Sequence, residues 1–132
     1  MDIDVNLLIK KAKEVQKNAI VPFSGFHVGA ALLTKDGRIY TGCNIEGSSL
    51  GVTICAERTA FCKALSEGER EFVAIAVVSD STETIYPCGI CRQFMSDFVG
   101  EDFIVYCTDG KGNYETRTFV SLLPNGFIPI GL

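Results

Sequence analysis

The sequence predicts a layered α/β sandwich, because helix-forming segments alternate along it with apolar segments that are typical of buried strands. Residues 72–78 are continuously apolar, which is the pattern of a strand covered on both faces. Helices that alternate with such strands are expected to pack on the sheet and cover it. No internal repeat, low-complexity tract or linker interrupts the 132 residues, so one domain over residues 1–132 is expected.

The first element is predicted to be a helix. Asp4 is a suitable N-cap. Apolar residues then recur at steps of three and four, as one face of a helix requires, at Val5, Leu8, Ala12, Val15 and Ala19. Lysines occupy the other side, and Pro22 and Gly25 then break the chain.

A β-hairpin is expected next. Residues 27–34 form a largely apolar run that leads into Asp36-Gly37, a dipeptide typical of type I′ turns. Residues 38–46 then form the returning strand. A loop is expected over residues 47–51.

The second half of the chain repeats the alternation of helix and strand. Good helix formers precede Gly68, and Gly100 follows the next helical segment. The predicted elements are a helix over 56–65, a strand over 72–78, a helix over about 88–98, a strand over 103–107 and a turn over 109–113.

Composition and charge exclude several classes of protein. Twelve Lys and Arg residues oppose sixteen Asp and Glu residues without a basic run, so we expect no nucleic-acid partner. No window approaches the roughly 20 consecutive apolar residues of a membrane helix. The start Met1-Asp2-Ile3-Asp4 is acidic, unlike a signal peptide, and a cytoplasmic protein is therefore expected. With glycine counted and tyrosine left out, 71 of the 132 residues are apolar, or 54%, against roughly 45–50% in ordinary globular chains. This excess indicates either an oligomer interface or a well-filled core.

Three of the six cysteines form a pattern that indicates a metal site. Cys88 and Cys91 are three residues apart, so that both thiols lie on one side of a helical turn, as in many zinc sites. Cys55 opens the preceding predicted helix, and two helix N-termini can together bring three thiolates to one point. A C-x-x-C pair alone is equally compatible with a redox pair or with chance.

A fourth protein ligand would make this site structural, whereas an open position would make it catalytic. Cys62 shares a helical face with Cys55, but their Cα atoms are about 10.5 Å apart, whereas two sulfurs on one zinc lie within about 4.6 Å. We therefore predict that Cys62 is a small core residue, as are Cys43 and Cys107 on apolar strands. His27, the only histidine, is expected to be a satisfied or surface side chain.

An acidic and a basic residue follow Cys55 closely. In the first turn of a helix, Glu57 and Cys55 can converge beyond the helix end, where a carboxylate suits proton transfer. Arg58 can hydrogen-bond a thiolate sulfur and offset the negative charge of three thiolates. The alternatives are that Glu57 only complements the helix dipole and that Arg58 forms a surface ion pair.

Two motifs resemble those of the small zinc-dependent cytidine deaminases of pyrimidine salvage. They are Cys55-Ala56-Glu57-Arg58-Thr59-Ala60 and Pro87-Cys88-Gly89-Ile90-Cys91-Arg92-Gln93. Further segments resemble the family at Pro22-Phe23-Ser24-Gly25-Phe26, Val28-Gly29-Ala30-Ala31-Leu32, Gly42-Cys43-Asn44-Ile45-Glu46, Leu122-Leu123-Pro124 and Phe127. The resemblance thus runs from about residue 21 to residue 127.

The resemblance implies a three-layer α/β/α sandwich with a mixed five-stranded sheet, assembled as a homotetramer. It implies one zinc ion per subunit, held by Cys55, Cys88 and Cys91, with Arg58 beside these ligands. Zinc would activate water for attack on C4 of a cytosine ring. Glu57 would move protons to ring N3 and to the departing amine, so that cytidine or 2′-deoxycytidine yields a uracil nucleoside and ammonia.

The same resemblance implies which residues bind the substrate. Asn44 and Glu46 would bind ribose hydroxyls, and Phe26 would lie against the base. Ala56 would line the substrate site, and Phe127 would come from a neighbouring subunit. A carboxylate accepts a hydrogen bond from a hydroxyl but repels a phosphate, so Glu46 favours a nucleoside over a nucleotide.

The chain departs from the family pattern at Leu50, where relatives often carry tyrosine, and His27 occupies a variable position. A deaminase of another cytosine nucleoside, such as blasticidin S, is the nearest alternative function. A non-catalytic, zinc-stabilised interaction domain would instead have four protein ligands on the metal. A secreted disulfide module would hold its cysteines in bridges.

Overall fold

The computed structural model describes residues 2–127, so that residue 1 and residues 128–132 of the expected domain lie outside the described residues. The elements in chain order are α1 (Val5–Gln16), β1 (Val28–Thr34), β2 (Ile39–Cys43), α2 (Ala56–Ser66), β3 (Phe72–Ser79), α3 (Gly89–Ser96), β4 (Ile104–Thr108), β5 (Tyr114–Thr118) and α4 (Phe119–Leu122). A short 3-10 turn, Leu50–Val52, lies between β2 and α2.

Within the described residues, five strands form one mixed sheet in the order β2-β1-β3-β4-β5. β3 and β4 are parallel, and the other neighbouring strands are antiparallel. Parallel neighbours need a crossover connection, and α3 lies in that connection. Among the helices of residues 2–127, none is long and apolar enough to cross a membrane.

Helices cover both faces of the sheet. Ala31 and Leu33 of β1 pack in one cluster with Leu8 of α1, whereas Ala30 and Leu32 pack in another with residues of α2 and α3. This division follows because successive side chains of a strand point to opposite faces. The three-layer α/β/α sandwich with a mixed five-stranded sheet is therefore confirmed, and residues 74–78 of β3 are all buried, as their apolar run predicted.

Two glycines let helices lie close to the sheet. A Cβ at Gly42 of β2 would lie 2.4 Å from the backbone nitrogen of Ala60 in α2. A Cβ at Gly29 of β1 would lie 2.1 Å from the carbonyl oxygen of Ala12 in α1. Because both distances are far below van der Waals contact, neither position accepts a larger residue without a shift of the helix.

The turn between β1 and β2 differs from the type I′ prediction. A type I′ turn needs two consecutive residues with positive φ, but within residues 34–38 only Gly37 has one, at 91°. The N–H of Gly37 donates to the carbonyl of Thr34 at 3.1 Å. Asp36 instead accepts a hydrogen bond from the Thr34 hydroxyl, and this contact stabilises a turn in which glycine alone is left-handed.

Other boundaries also differ from the sequence prediction. The first helix was predicted to reach Ala19 but ends at Gln16. β5 and α4 were not predicted from periodicity, although the family resemblance implied a fifth strand. The residues of β5 are exposed or half-buried, because it is an edge strand, and its sequence therefore lacks an apolar run.

Candidate metal centre and active site

Three thiols meet where α2 and α3 begin. Cys55 is the N-cap of α2, Cys88 is the N-cap of α3, and Cys91 lies in the first turn of α3. Their sulfur atoms all lie within 4.8 Å of one another, and those of Cys55 and Cys88 are 3.7 Å apart. Sulfurs bound tetrahedrally to one zinc lie about 3.8 Å apart, so the cluster fits a zinc ion. Soft thiolate donors are also the ligands that zinc prefers.

The surroundings of the cluster favour the ionised form of the Cys55 sulfur. Hydrogen bonds from Cys91 and Arg58 lower the pKa of Cys55 to about 5, against the effect of burial. The bond to Cys55, together with burial, raises the pKa of the Cys91 thiol in turn. Nη2 of Arg58 lies 3.7 Å from the Cys55 sulfur and 3.3 Å from the carbonyl oxygen of Thr53. The guanidinium therefore lies beside the Cys55 thiolate and offsets part of its charge.

A buried carboxyl adjoins the thiols. Glu57 lies in the first turn of α2 and is only 4% exposed. Burial raises the pKa of its carboxyl to about 7. Glu57 lines the same cavity as Cys55 and Cys88, so its carboxyl is within reach of a small molecule bound beside the metal cluster.

The cavity joins the thiols to most of the predicted substrate-binding residues. Its volume is about 360 Å³, which is in the range of small-molecule sites. Its walls include Phe26, Asn44, Glu46, Ala56, Cys55, Glu57 and Cys88. Phe127 lies apart from this cavity, 69% exposed, in a separate groove. A groove of about 710 Å³ elsewhere is lined mainly by charged side chains and shares no residue with the thiol cluster.

Asn44 and Glu46 are held by the segment that carries Phe26. The side-chain oxygen of Asn44 accepts from the N–H of Val28 at 2.9 Å, and its amide nitrogen donates to the carbonyl of Phe26 at 2.8 Å. Glu46 accepts from both the N–H, at 3.1 Å, and the hydroxyl of Ser24. The bond from the hydroxyl lowers the pKa of Glu46, so that Glu46 faces the cavity as a carboxylate.

The remaining cysteines divide into two that were correctly predicted and one that was not. Cys43 and Cys107 are buried in the core, as expected, but Cys62 is exposed. Phe61 occupies the core side of α2, and each further residue of a helix is rotated by about 100°, so Cys62 points away. Cys55 precedes α2 as its N-cap, and its spacing to Cys62 therefore does not define a helical face.

His27 is a satisfied side chain, as predicted, with Nδ1 2.8 Å from the carboxylate of Asp80. Leu50 is exposed and does not line the cavity. Tyr86 lines the cavity and was missed by the sequence analysis. Its position directly before the Pro87-Cys88 motif was the available signal.

The fold and the thiol cluster define an α/β domain with a zinc site beside a buried carboxyl and a small-molecule cavity. A family model described as "Cytidine and deoxycytidylate deaminase zinc-binding region" matches residues 3–107. The cytidine deaminase of Sporosarcina psychrophila is 50% identical over 125 residues, covering 95% of this chain and 92% of the relative. The crystal structure of cytidine deaminase from Burkholderia pseudomallei has a TM-score of 0.91 and 42% identity, covering 95% of this chain and 100% of that chain. The chain therefore belongs to the cytidine deaminase family, whose members are hydrolases of C–N bonds.

Family membership confirms the resemblance and makes zinc the cofactor of this chain. The blasticidin-S deaminase of Bacillus cereus is also similar, at 39% identity, but over 93 residues and 64% of this chain. The alternative of a blasticidin-type substrate is therefore not favoured. A non-catalytic zinc domain is not favoured either, since the relatives that cover nearly the whole chain are enzymes.

Proposed function

We propose that this chain hydrolyses cytidine and 2′-deoxycytidine to uridine or 2′-deoxyuridine and ammonia, with Cys55, Cys88 and Cys91 holding one zinc ion per subunit. The observation that carries the proposal is that a cluster of three sulfurs and a buried carboxyl, Glu57, adjoin one small-molecule cavity. A structural zinc is closed by four protein ligands, whereas three leave a position open for chemistry.

Zinc, when bound, supplies water that is activated for attack at neutral pH. Glu57 carries the protons. Its carboxylate accepts one proton from the water and delivers it to N3 of the cytosine ring. It then accepts the second proton of the same water, from the hydroxyl now bound to C4, and delivers it to the amine, so that the C4–O double bond forms as ammonia leaves. One carboxyl serves all three positions because N3, C4 and the amine are neighbouring groups on one edge of the ring. The burial of Glu57 keeps bulk water away from these transfers.

The polar residues of the cavity suit a nucleoside. The Glu46 carboxylate accepts a hydrogen bond from a ribose hydroxyl and disfavours a phosphate, and Asn44 supplies a second polar contact to the sugar. Phe26 offers an aromatic face to the base. Ala56, buried at the start of α2, leaves room for the edge of the ring beside Glu57.

The direct test is to incubate the zinc-loaded protein with cytidine and to follow both the loss of ultraviolet absorbance and the release of ammonia. Stoichiometric formation of uridine and ammonia is expected. The absence of turnover with one zinc ion bound per subunit would refute the proposed function.

The role of Glu57 is tested by Glu57→Gln, which keeps the size of the side chain and removes its acid–base chemistry. Zinc content should be unchanged, and kcat should fall by more than the roughly 10²–10⁴ of an ordinary acid–base group, because one residue makes several transfers. Glu67→Gln is the matched control, since Glu67 is exposed at the other end of the same helix. Retained activity in Glu57→Gln would remove this residue from the mechanism.

The working unit is a homotetramer in which Phe127 of one chain completes the cavity of another. Phe127 is exposed and does not reach the cavity of its own chain, and Phe23, Leu50 and Val52 add further exposed apolar surface. Sedimentation equilibrium should give four chains per particle. Phe127→Ala should raise KM for cytidine and leave the tetramer intact. A fully active monomer would contradict this assembly.

The chain acts as a single deaminase domain in the cytoplasm, in the salvage of pyrimidine nucleosides. Support comes from the nucleoside chemistry of the cavity and from the cysteines, all six of which lie within the described residues as free thiols. Free thiols are typical of a reducing compartment. Titration after denaturation and chelation should find six thiols per chain, and a lower number would contradict this location.

A further inference from the structure

The residues that directly follow β2 and β3 lie on either side of an extension of β1. Asn44 follows β2 and Asp80 follows β3, and β1 lies between these two strands in the sheet. The backbone pairing of β1 with its neighbours begins at residues 28 and 29. Phe26 and His27 therefore lie beyond the ends of both neighbouring strands. There, side chains rather than a neighbouring backbone make hydrogen bonds to their backbone groups.

Asp80 binds His27 at two points. Its Oδ2 accepts from the backbone N–H of His27 at 2.7 Å and lies 2.8 Å from Nδ1 of the imidazole. Its Oδ1 accepts from Nε2 of Gln16 at 3.3 Å, and the same amide nitrogen lies 3.1 Å from the carbonyl oxygen of His27, to which it donates. Asp80 and Gln16 thus satisfy both backbone groups of His27, as a neighbouring strand would. The bonds from the backbone and the imidazole of His27 lower the pKa of Asp80.

The backbone groups of the residues on either side of His27 point to the opposite side of the segment and bind Asn44 instead of Asp80. The carbonyl of Phe26 and the N–H of Val28 both bond to the side chain of Asn44. In an extended chain, successive residues direct their backbone groups to opposite sides. The segment 26–28 is therefore held from one side by Asn44 and from the other by Asp80.

We propose that Asp80 is a positioning residue for the nucleoside: it fixes His27, and thereby the ring of Phe26 and the side chain of Asn44 at the cavity wall. This inference rests on the proposed function, which assigns Phe26 and Asn44 to the substrate. Asp80 is not part of the cavity wall, so it acts through His27. Its loss leaves Glu57 and the thiols on α2 and α3 in place, and substrate binding should suffer more than the chemical step.

The test compares Asp80→Ala and Asp80→Asn with Glu83→Ala, all as zinc-loaded full-length protein acting on cytidine. Asp80→Ala should raise KM about tenfold and leave kcat within about twofold, since a charge-assisted hydrogen bond that holds the binding segment is lost. Asp80→Asn keeps one acceptor oxygen and should raise KM only about threefold. Glu83 is exposed in the same loop, and Glu83→Ala should match the wild type.

A merely structural role would lower the melting temperature or kcat and leave KM unchanged. An unchanged KM in Asp80→Ala, or a kcat that falls as much as KM rises, would therefore overturn the proposal. If Asp80→Ala does not fold, KM and kcat of Asp80→Asn provide the same test, and an unchanged KM in that variant would overturn the proposal.

Hydrogen exchange tests the contact independently of turnover. Peptides that cover residues 21–30 should exchange faster in Asp80→Ala, or in Asp80→Asn, than in Glu83→Ala, because the N–H of His27 loses its acceptor. Equal exchange would also overturn the proposal. A wild-type protein that fails to turn over cytidine would refute the proposed function, while the exchange experiment would still show whether Asp80 holds the segment.

Discussion

Replacement of Gly42 by alanine should disturb the metal centre, because Gly42 of β2 lies against α2, the helix whose first residues adjoin that centre. A Cβ at this position would lie 2.4 Å from the backbone nitrogen of Ala60 and 2.5 Å from the carbonyl oxygen of Ala56. Ordinary contacts begin near 3.4 Å. Because both atoms belong to the backbone of the helix, no side-chain rotation relieves the clash, and α2 must move away from β2 by about 1 Å.

This shift has two consequences of predictable size. Overpacking in a core costs about 1–3 kcal/mol, which lowers the melting temperature of a domain of this length by about 4–12 °C. The moving helix also carries Glu57 in its first turn and Cys55 at its N-cap. A misplacement of about 1 Å in a catalytic group is expected to lower kcat/KM by about 10²-fold.

The assay is thermal unfolding of zinc-loaded Gly42→Ala, together with its zinc content and kcat/KM for cytidine. Gly51→Ala is the matched control, because a Cβ at Gly51 meets nothing within 4 Å, and its melting temperature, zinc content and kcat/KM should match those of the wild type. If Gly42→Ala melts at the wild-type temperature, the close contact of α2 with β2 does not limit stability. If it melts lower but keeps full kcat/KM, that contact does not hold the site.

Three further predictions follow from the same geometry. Cys91→Ser should lose zinc and activity, whereas Cys62→Ser should keep both, because Cys91 belongs to the thiol cluster and Cys62 is exposed. The measurement is the zinc content of the two purified variants. Zinc retained in Cys91→Ser would contradict the ligand set. Chelation should lower the melting temperature, because zinc at 1,000 times its Kd adds about 4.1 kcal/mol to the free energy of unfolding. Added zinc should restore the melting temperature. An unchanged melting temperature after chelation would argue against a zinc ion that links α2 to α3. Hydrogen bonds from His27 lower the pKa of Asp80 below its ordinary value of 3.8. The stabilisation that Asp80 provides should therefore be present above pH 3.8 and be lost as the pH falls through the lower folded-state pKa. The groups that face Asp80 are the titratable side chain of His27 and the neutral side chain of Gln16. The difference in melting temperature between the wild type and Asp80→Asn should therefore vanish in acid, and a difference that grows in acid would contradict the assignment.

The arrangement of the three thiols and Glu57 could be predicted because it depends on short-range spacing. Cys88 and Cys91 are one helical turn apart, and Cys55 and Glu57 lie together at another helix start. Both arrangements follow from helix geometry once the helix beginnings are recognised. The fold class was similarly accessible, since the apolar run at 72–78 requires cover on both faces.

Elements whose position depends on tertiary contacts were harder to predict. β5 carries no buried residue, so its sequence resembles that of a polar loop, and only its pairing with β4 makes it a strand. The turn at Asp36 depends on a side-chain bond from Thr34, which the dipeptide preference does not include. The exposure of Cys62 depends on which side of α2 meets the sheet, and Phe61 decides that.

The polar contacts that orient the cavity wall belong to this second group. Asn44 and Asp80 are 36 positions apart in the sequence, and nothing local marks either as a partner of residues 26–28. They meet because β1 lies between β2 and β3 in a register that ends both neighbours beside the same segment. A one-residue slip of β1 would exchange the two sides of that segment, and would direct the backbone of His27 toward Asn44 and that of Phe26 toward Asp80. The register of the central strand therefore determines how the wall of the cavity is held, while the helix starts determine what chemistry the cavity contains.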